Sequence, residues 1–222
     1  MTSLLSLAGR TERPAAVPVP VRTGGFGGAD GLASFLRDHC IELVVDATHP
    51  FAARISAHAV AACAAAGVPR VVFSRPAWMA GPADRWTAVP DIPAAVGALG
   101  AARRRVLVTT GRLGLAAYHA APQHHYLVRT IDPPDPADLP PDARLILARP
   151  PFTSADEAEL MRREGVEVLV SKNSGGATAK LEAARVLGLP VVMVQRPPPP
   201  PGPLLINLDA VLALIATHAR RP

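Results

Sequence analysis

The sequence predicts an α/β protein built as two similar lobes with mainly parallel sheets, and three observations carry that reading. Short, continuously apolar runs alternate along the chain with Ala-rich stretches of helical length. Continuous runs mark strands buried on both faces, as in parallel sheets covered by helices. One succession of strand, polar turn, helix and strand then recurs in the second half with the same punctuation. Composition agrees: 49% of the 222 residues are apolar but only 4% are aromatic, so Ala, Val and Leu must make the cores. A chain of this length suits two small lobes.

In chain order the expected strands are 17–22, 43–45, 71–74, 106–110, 126–130, 145–148, 168–170 and 191–194. Asp30 is placed to cap the helix after the first of these, and Pro50 to open a helix in its first turn. The Ala-rich helix over 54–66 carries Arg54 and His58 and is too short to span a bilayer. Asp91 caps a helix with Pro93 in its first turn. Ser154 with Glu157 forms a capping box opening a helix over 155–164, which Gly165 closes. Residues 197–201, all proline, form with Pro203 a stiff polyproline II connector rising about 3 Å per residue.

The recurrence is specific. Gly67-Val68-Pro69 closes a helix, leads into Val71-Val72-Phe73 and ends at Arg75-Pro76. Gly188-Leu189-Pro190 leads into Val191-Val192-Met193 and ends at Arg196-Pro197. Gly and Pro occupy such joints in any strand–helix–strand unit. The matched Arg-Pro pairs, and the polar turns 46–50 and 171–176 upstream of them, do not follow from that rule. They favour two related lobes, 1–102 and 103–222, joined near 101–105. Ligands of such folds bind at the carboxyl ends of the strands.

A formal charge of +5 and a pI near 10.0 suit an acidic partner: a nucleotide phosphate, a polycarboxylate or nucleic acid. The cations are dispersed, and the run Arg103-Arg104-Arg105 reads as the solvated approach to a strand, so nucleic acid is not expected. Cys40 and Cys63 lie far apart with no Cys/His cluster, which argues against metal and fits buried thiols in a reducing cytoplasm. The first ten residues lack the basic start and apolar stretch of a signal peptide.

Four polar turns can carry chemistry. In Ser6-Leu7-Ala8-Gly9-Arg10-Thr11, Arg10 offers a planar fork to phosphate beside two hydroxyls. On the hexapeptide alone a polar surface turn is the stronger reading. Gly24-Gly25-Phe26-Gly27-Gly28 lets backbone amides approach a ligand closely, or is simply a flexible loop. In Asp46-Ala47-Thr48-His49-Pro50-Phe51-Ala52, a strand end meets a helix start, which favours an anion, and His49 can move a proton near neutral pH. Plain helix capping by Asp46 and Thr48 is the alternative. Ser171-Lys172-Asn173-Ser174-Gly175-Gly176 is a donor-rich cradle for a carboxylate or a developing negative charge. Thr109-Thr110-Gly111-Arg112 is a smaller one of the same kind.

Taken in this order, Ser-Leu-Ala-Gly-Arg, Gly-Gly-Phe-Gly-Gly, Asp-Ala-Thr-His-Pro-Phe-Ala, Thr-Thr-Gly-Arg and Lys-Asn-Ser-Gly-Gly resemble the motif series of the precorrin-6A reductase family. The resemblance runs from Ser3 to Arg196. It implies two Rossmann-like lobes with the site in the cleft between them, and reduction of one macrocycle double bond of precorrin-6A to precorrin-6B in cobalamin biosynthesis. The implied cofactor is NADPH, and the implied substrate is a tetrapyrrole rich in acetate and propionate arms. Other cobalamin-pathway enzymes are the further partners to expect.

Carried over by position, the resemblance implies that Ser6, Arg10 and Thr11 hold the adenosine phosphate, with Gly24, Gly25 and Phe26 near adenine. It puts Ala47, Thr48 and His49 along the cofactor toward nicotinamide. Thr110, Gly111, Arg112, Lys172, Asn173 and Ser174 face the substrate. His49 and Lys172 are the candidate catalytic groups, with bulk water competing as proton source.

Two departures stand out. The family begins with a strand and a Gly-Gly-Thr phosphate loop, whereas this chain starts at the second strand, so in-frame coding sequence upstream of Met1 is expected to supply them. The stretch from Gly176 to Lys180 is also shorter than the family pattern. The competing readings are a cobalt-precorrin-6A reductase of the anaerobic branch using NADH, and a non-catalytic corrinoid- or nucleotide-binding module.

Overall fold

The structure is a computed structural model and describes residues 2–9 and 15–219. Its strands are β1 (Leu5–Leu7), β2 (Val21–Thr23), β3 (Val44–Asp46), β4 (Arg70–Phe73), β5 (Arg85–Val89), β6 (Arg105–Val108), β7 (His125–Thr130), β8 (Ala143–Leu147), β9 (Val168–Lys172), β10 (Pro190–Val194) and β11 (Leu204–Leu205). The α-helices are α1 (Gly28–Asp38), α2 (Ala53–Ala66), α3 (Ile92–Gly97), α4 (Ser154–Arg163), α5 (Ala179–Val186) and α6 (Leu208–His218). Among the described residues, no helix is long and apolar enough to cross a membrane.

The chain forms two compact units, Met1–Pro76 with Pro197–Pro222, and Ala77–Arg196. This division differs from the one expected at 102/103. The reason is pairing: β5 hydrogen-bonds to β10 in the second unit, and β11 returns to β4 in the first.

The first unit holds a parallel pair, β1-β2, and a parallel sheet of order β11-β4-β3. Leu32, Ala33 and Leu36 recur at helical spacing on α1 and pack on Ala59, Ala62 and Cys63 of α2. The second unit is one parallel sheet of order β5-β10-β9-β6-β7-β8. Its central strands bury an apolar run under helices: Leu107, Leu127, Leu169 and Met193 share a core cluster with Met161 of α4 and Leu181 of α5. With every neighbour parallel, the turns that follow the strands gather at one edge of each sheet.

Local chemistry corrects several expectations. Ser6 lies within β1, opposite Arg22, rather than in a turn. Thr153, not Ser154, caps α4 by accepting from the Asp156 amide at 3.1 Å. Glu157 is released by that shift and pairs inward with Arg129 at 2.5 Å. Asp30 stands in the first turn of α1, whose cap is Gly27. Pro50 precedes α2 in a separate tight turn, closed by the Ala52 amide on the His49 carbonyl at 2.7 Å. Asp91 caps α3 as its spacing predicts, accepting from Ala94 at 2.8 Å. The strand β5 escapes a hydropathy reading because it is an edge strand with mostly exposed side chains.

Candidate functional site

In the first unit, Asp46 ends β3 with its side chain buried. Its Oδ1 accepts from the Thr48 amide at 3.2 Å and from Thr48 Oγ1 at 2.8 Å, while Oδ2 faces Arg70 at 3.4 Å. This Asx-type turn bends the chain off the strand. Thr48 Oγ1 reaches on to Ser56 Oγ of α2 at 2.9 Å. The carboxylate is therefore committed to the turn it builds.

That turn opens a pocket of about 250 Å³, lined by Ala47, Thr48, His49 and Pro50 and, from the end of β4, by Phe73, Ser74 and Arg75. His49 Nδ1 accepts from the Phe51 amide at 3.2 Å, which puts the proton of the neutral ring on Nε2. Ser74 and Arg75 line the pocket without belonging to any of the polar turns, and the recurring Arg-Pro is the sequence signal that marks them.

The glycine loop after β2 is held by Arg22, another residue without a sequence signal. It donates to the Gly24 and Gly25 carbonyls at 2.7 and 2.6 Å, and its guanidinium lies 3.9 Å from the Phe26 ring centroid. The loop lies so close to α1 that a Cβ on Gly31 would stand 1.7 Å from the Phe26 carbonyl oxygen. Gly24, Gly25 and Phe26 share this loop, and the Gly24 amide bonds Leu7 at the end of β1 at 2.8 Å. None of them lines the pocket. Arg10 and Thr11 lie outside the described residues.

In the second unit, β6 and β9 are neighbours, so the turns after them meet at one edge. The Thr109 amide and Oγ1 both donate to the Val170 carbonyl at 3.0 Å. Thr110 is buried, Gly111 follows it, and Arg112 donates to the Pro133 carbonyl at 3.4 Å. Lys172 ends β9, and burial pulls its amine below the ordinary lysine range. Asn173 is 4% exposed and faces Trp78 rather than solvent. The Ser174 amide donates back to the Lys172 carbonyl at 2.8 Å. Lys180, in the first turn of α5, has its amine 5.2 Å from the Trp78 ring centroid. Burial, and then the nearby Arg129, push its pKa down to about 8, with Glu157 opposing them. The structure thus brings Thr110, Gly111 and Arg112 together with Lys172, Asn173 and Ser174 at one sheet edge. Of the two candidate catalytic groups, His49 belongs to the first unit and Lys172 to the second.

Known proteins match this arrangement over nearly its whole length. A precorrin-6A reductase of Rhodobacter capsulatus is 49% identical over 223 residues, covering 99% of this chain and 88% of that protein. One from a Sinorhizobium species is 50% identical over 214 residues, covering 96% and 82%. A cobalt-precorrin-6A reductase of Priestia megaterium is 27% identical over 203 residues, covering 86% and 79%. A solved structure described as CobK precorrin-6A reductase superposes with a TM-score of 0.92 at 50% identity, covering 99% of this chain and 88% of that one. The family model described as precorrin-6x reductase CbiJ/CobK matches residues 1–216. The chain belongs to the precorrin-6x reductase CbiJ/CobK family.

Proposed function

We propose that this protein is a precorrin-6A reductase that uses NADPH. The observation that carries the reading is the likeness to precorrin-6A reductases at about half identity along almost the entire chain. Identity to the cobalt-precorrin relative is far lower, which supports the cobalt-free substrate.

The residues present fit a nicotinamide nucleotide. The first unit offers an open glycine loop pinned by Arg22, and a separate pocket at the ends of β3 and β4 with His49 and Arg75 on its wall. A pocket of this size takes one end of a dinucleotide, not its length. Arg10, with Ser6 and Thr11, reads the 2′-phosphate; Gly24, Gly25 and Phe26 lie at the adenine end; Ala47, Thr48 and His49 lie toward nicotinamide. Bound there, the cofactor supplies hydride to a ring carbon of the macrocycle and leaves as its oxidised form.

The chain's own residues then bind, orient and deliver a proton to the neighbouring carbon, so that one double bond is saturated. Lys172 and Arg112 meet substrate carboxylates, and Ser174 with the amides of Thr110 and Gly111 completes the cradle. His49 Nε2 is one proton source, and Lys172, with its lowered pKa, is the other.

The test is turnover with precorrin-6A and cobalt-precorrin-6A, each with NADPH and NADH. Oxidation of NADPH with precorrin-6A is expected to dominate, and absence of turnover with either substrate overturns the reading. Arg10→Ala should weaken NADPH by about 1.5–3 kcal/mol, the worth of hydrogen bonds to a charged group, and leave NADH unchanged. Equal losses for both cofactors would show that Arg10 does not read the 2′-phosphate.

A further inference from the structure

Asn173 is the most completely engaged polar residue of the substrate-side turn. Its amide donates to the Val194 carbonyl at 2.8 Å, and its carbonyl accepts from Arg196 Nε at 3.0 Å. Its side-chain Oδ1 accepts from the Trp78 amide at 2.8 Å, and Nδ2 donates to the Trp78 carbonyl at 3.0 Å. All four polar groups have partners, and the residue is 4% exposed. A side chain so placed has little left to offer a ligand.

Trp78 closes the other side of the same turn. Its indole Nε1 donates to the Gly176 carbonyl at 3.0 Å, and its ring packs against the core of the second unit. The Lys180 amine lies over that ring, a cation–π contact that adds to the hold. Between the two fixed points, Asn173 and Gly176, stand Ser174 and Gly175. The chain is further wound around the Lys172 carbonyl, which accepts from the Ser174 amide at 2.8 Å, Ser171 Oγ at 3.2 Å and Ser174 Oγ at 3.3 Å.

We infer that Trp78 and Asn173 form a clasp whose role is to position Lys172 and Ser174 for the substrate, and that Asn173 acts through Trp78 rather than on the macrocycle. The inference rests on the reading of 172–174 as substrate-facing. Its physical basis is preorganisation: a binding group held in place loses less freedom on binding, and misplacement by about 1 Å can cost as much as about 100-fold.

Two variants of the 222-residue chain probe the clasp. Asn173→Asp keeps an acceptor for the Trp78 amide but sets an oxygen against the Trp78 carbonyl. Trp78→Phe keeps a ring and removes only the N–H to Gly176, so it serves if the first variant folds poorly. Steady-state kinetics with precorrin-6A, NADPH titration and thermal melts are run on each. Indole emission is followed in a Trp86→Phe background, where Trp78 is the sole fluorophore of its kind.

Asn173→Asp is expected to raise KM for precorrin-6A about 10- to 100-fold, with a much smaller change in kcat. Trp78 emission should shift to the red, and NADPH affinity should stay as in wild type. Trp78→Phe should raise KM less, and the double variant should show no more than the larger single effect. A released indole with wild-type KM overturns the clasp, and so does a loss of NADPH affinity that parallels the rise in KM. Lys172→Ala separates the two readings. Wild-type KM in that variant sinks both, whereas raised KM there beside wild-type KM in Asn173→Asp sinks the clasp alone.

Discussion

The stretches from β3 to Arg75 and from β9 to Arg196 are the same device built twice, and they differ where chemistry is decided. In each, a strand runs into a polar turn, a helix ends at a glycine, and a parallel neighbour strand leads to Arg-Pro. The registers agree: Asp46 stands opposite Val72, three residues before Arg75, and Ser171 opposite Met193, three before Arg196. In the first unit a buried carboxylate holds the turn and the space beside Arg75 is an open pocket. In the second, Arg196 closes on the Asn173 carbonyl and Trp78 seals the turn. A shared frame therefore sets where a site lies, and a few polar side chains set whether it is a hole or a rigid rim. An open pocket suits a cofactor that enters and leaves, and a fixed rim suits recognition of a substrate's charged arms.

The largest test of this contrast is at the paired positions Asp46 and Ser171. Asp46→Ala removes both Thr48 contacts and the carboxylate beside Arg70, which among the described residues keeps only its bond to the Pro201 carbonyl. It should lower unfolding free energy by about 3–5 kcal/mol in urea titrations. Ser171→Ala removes one hydroxyl contact to a carbonyl and should cost about 0.5–1.5 kcal/mol. Equal losses would mean that the two turns are held in the same way.

The paired arginines come next. Arg75→Ala should weaken NADPH by about 1.5–3 kcal/mol in calorimetric titration. Arg196→Ala, which removes the hold on the Asn173 carbonyl, should lower stability and leave NADPH affinity unchanged. If both variants lose cofactor affinity alike, the division of labour between the turns is wrong.

The smallest effect expected is in pH dependence, and it belongs to the second unit. His124 is fully buried there, and burial, aided by Arg104, holds its pKa below 6.5 against an opposing hydrogen bond at Gly100. The folded state then binds fewer protons than the unfolded one, so the contribution is whole above pH 6.5 and falls away below it. His124→Gln should flatten melting temperature against pH below about 6.5. Buried Tyr126, pushed up to about 12, acts at the other end, its contribution being lost as pH rises above 10.

Much of this was legible along the chain. Apolar runs at 71–74, 126–130 and 191–194 announce buried parallel strands because hydropathy acts on each residue where it stands. The polar turns after β3, β6 and β9 are local too, and so is the Asp91 cap. Composition and these turns determined the α/β class, the parallel sheets and the family. Only the tertiary structure decided which strand joins which sheet, because β5 pairs with a strand some hundred residues later and its own side chains carry little hydrophobic signal. The same holds for Thr153 replacing Ser154 as a cap, where two adjacent hydroxyls compete and the burial of Glu157 against Arg129 settles the register. It holds most of all for Trp78. Its neighbours Pro76, Ala77 and Gly81 read as a loop, and the hydrogen bonds that give it a role come from Asn173 and Gly176, which only folding brings to it.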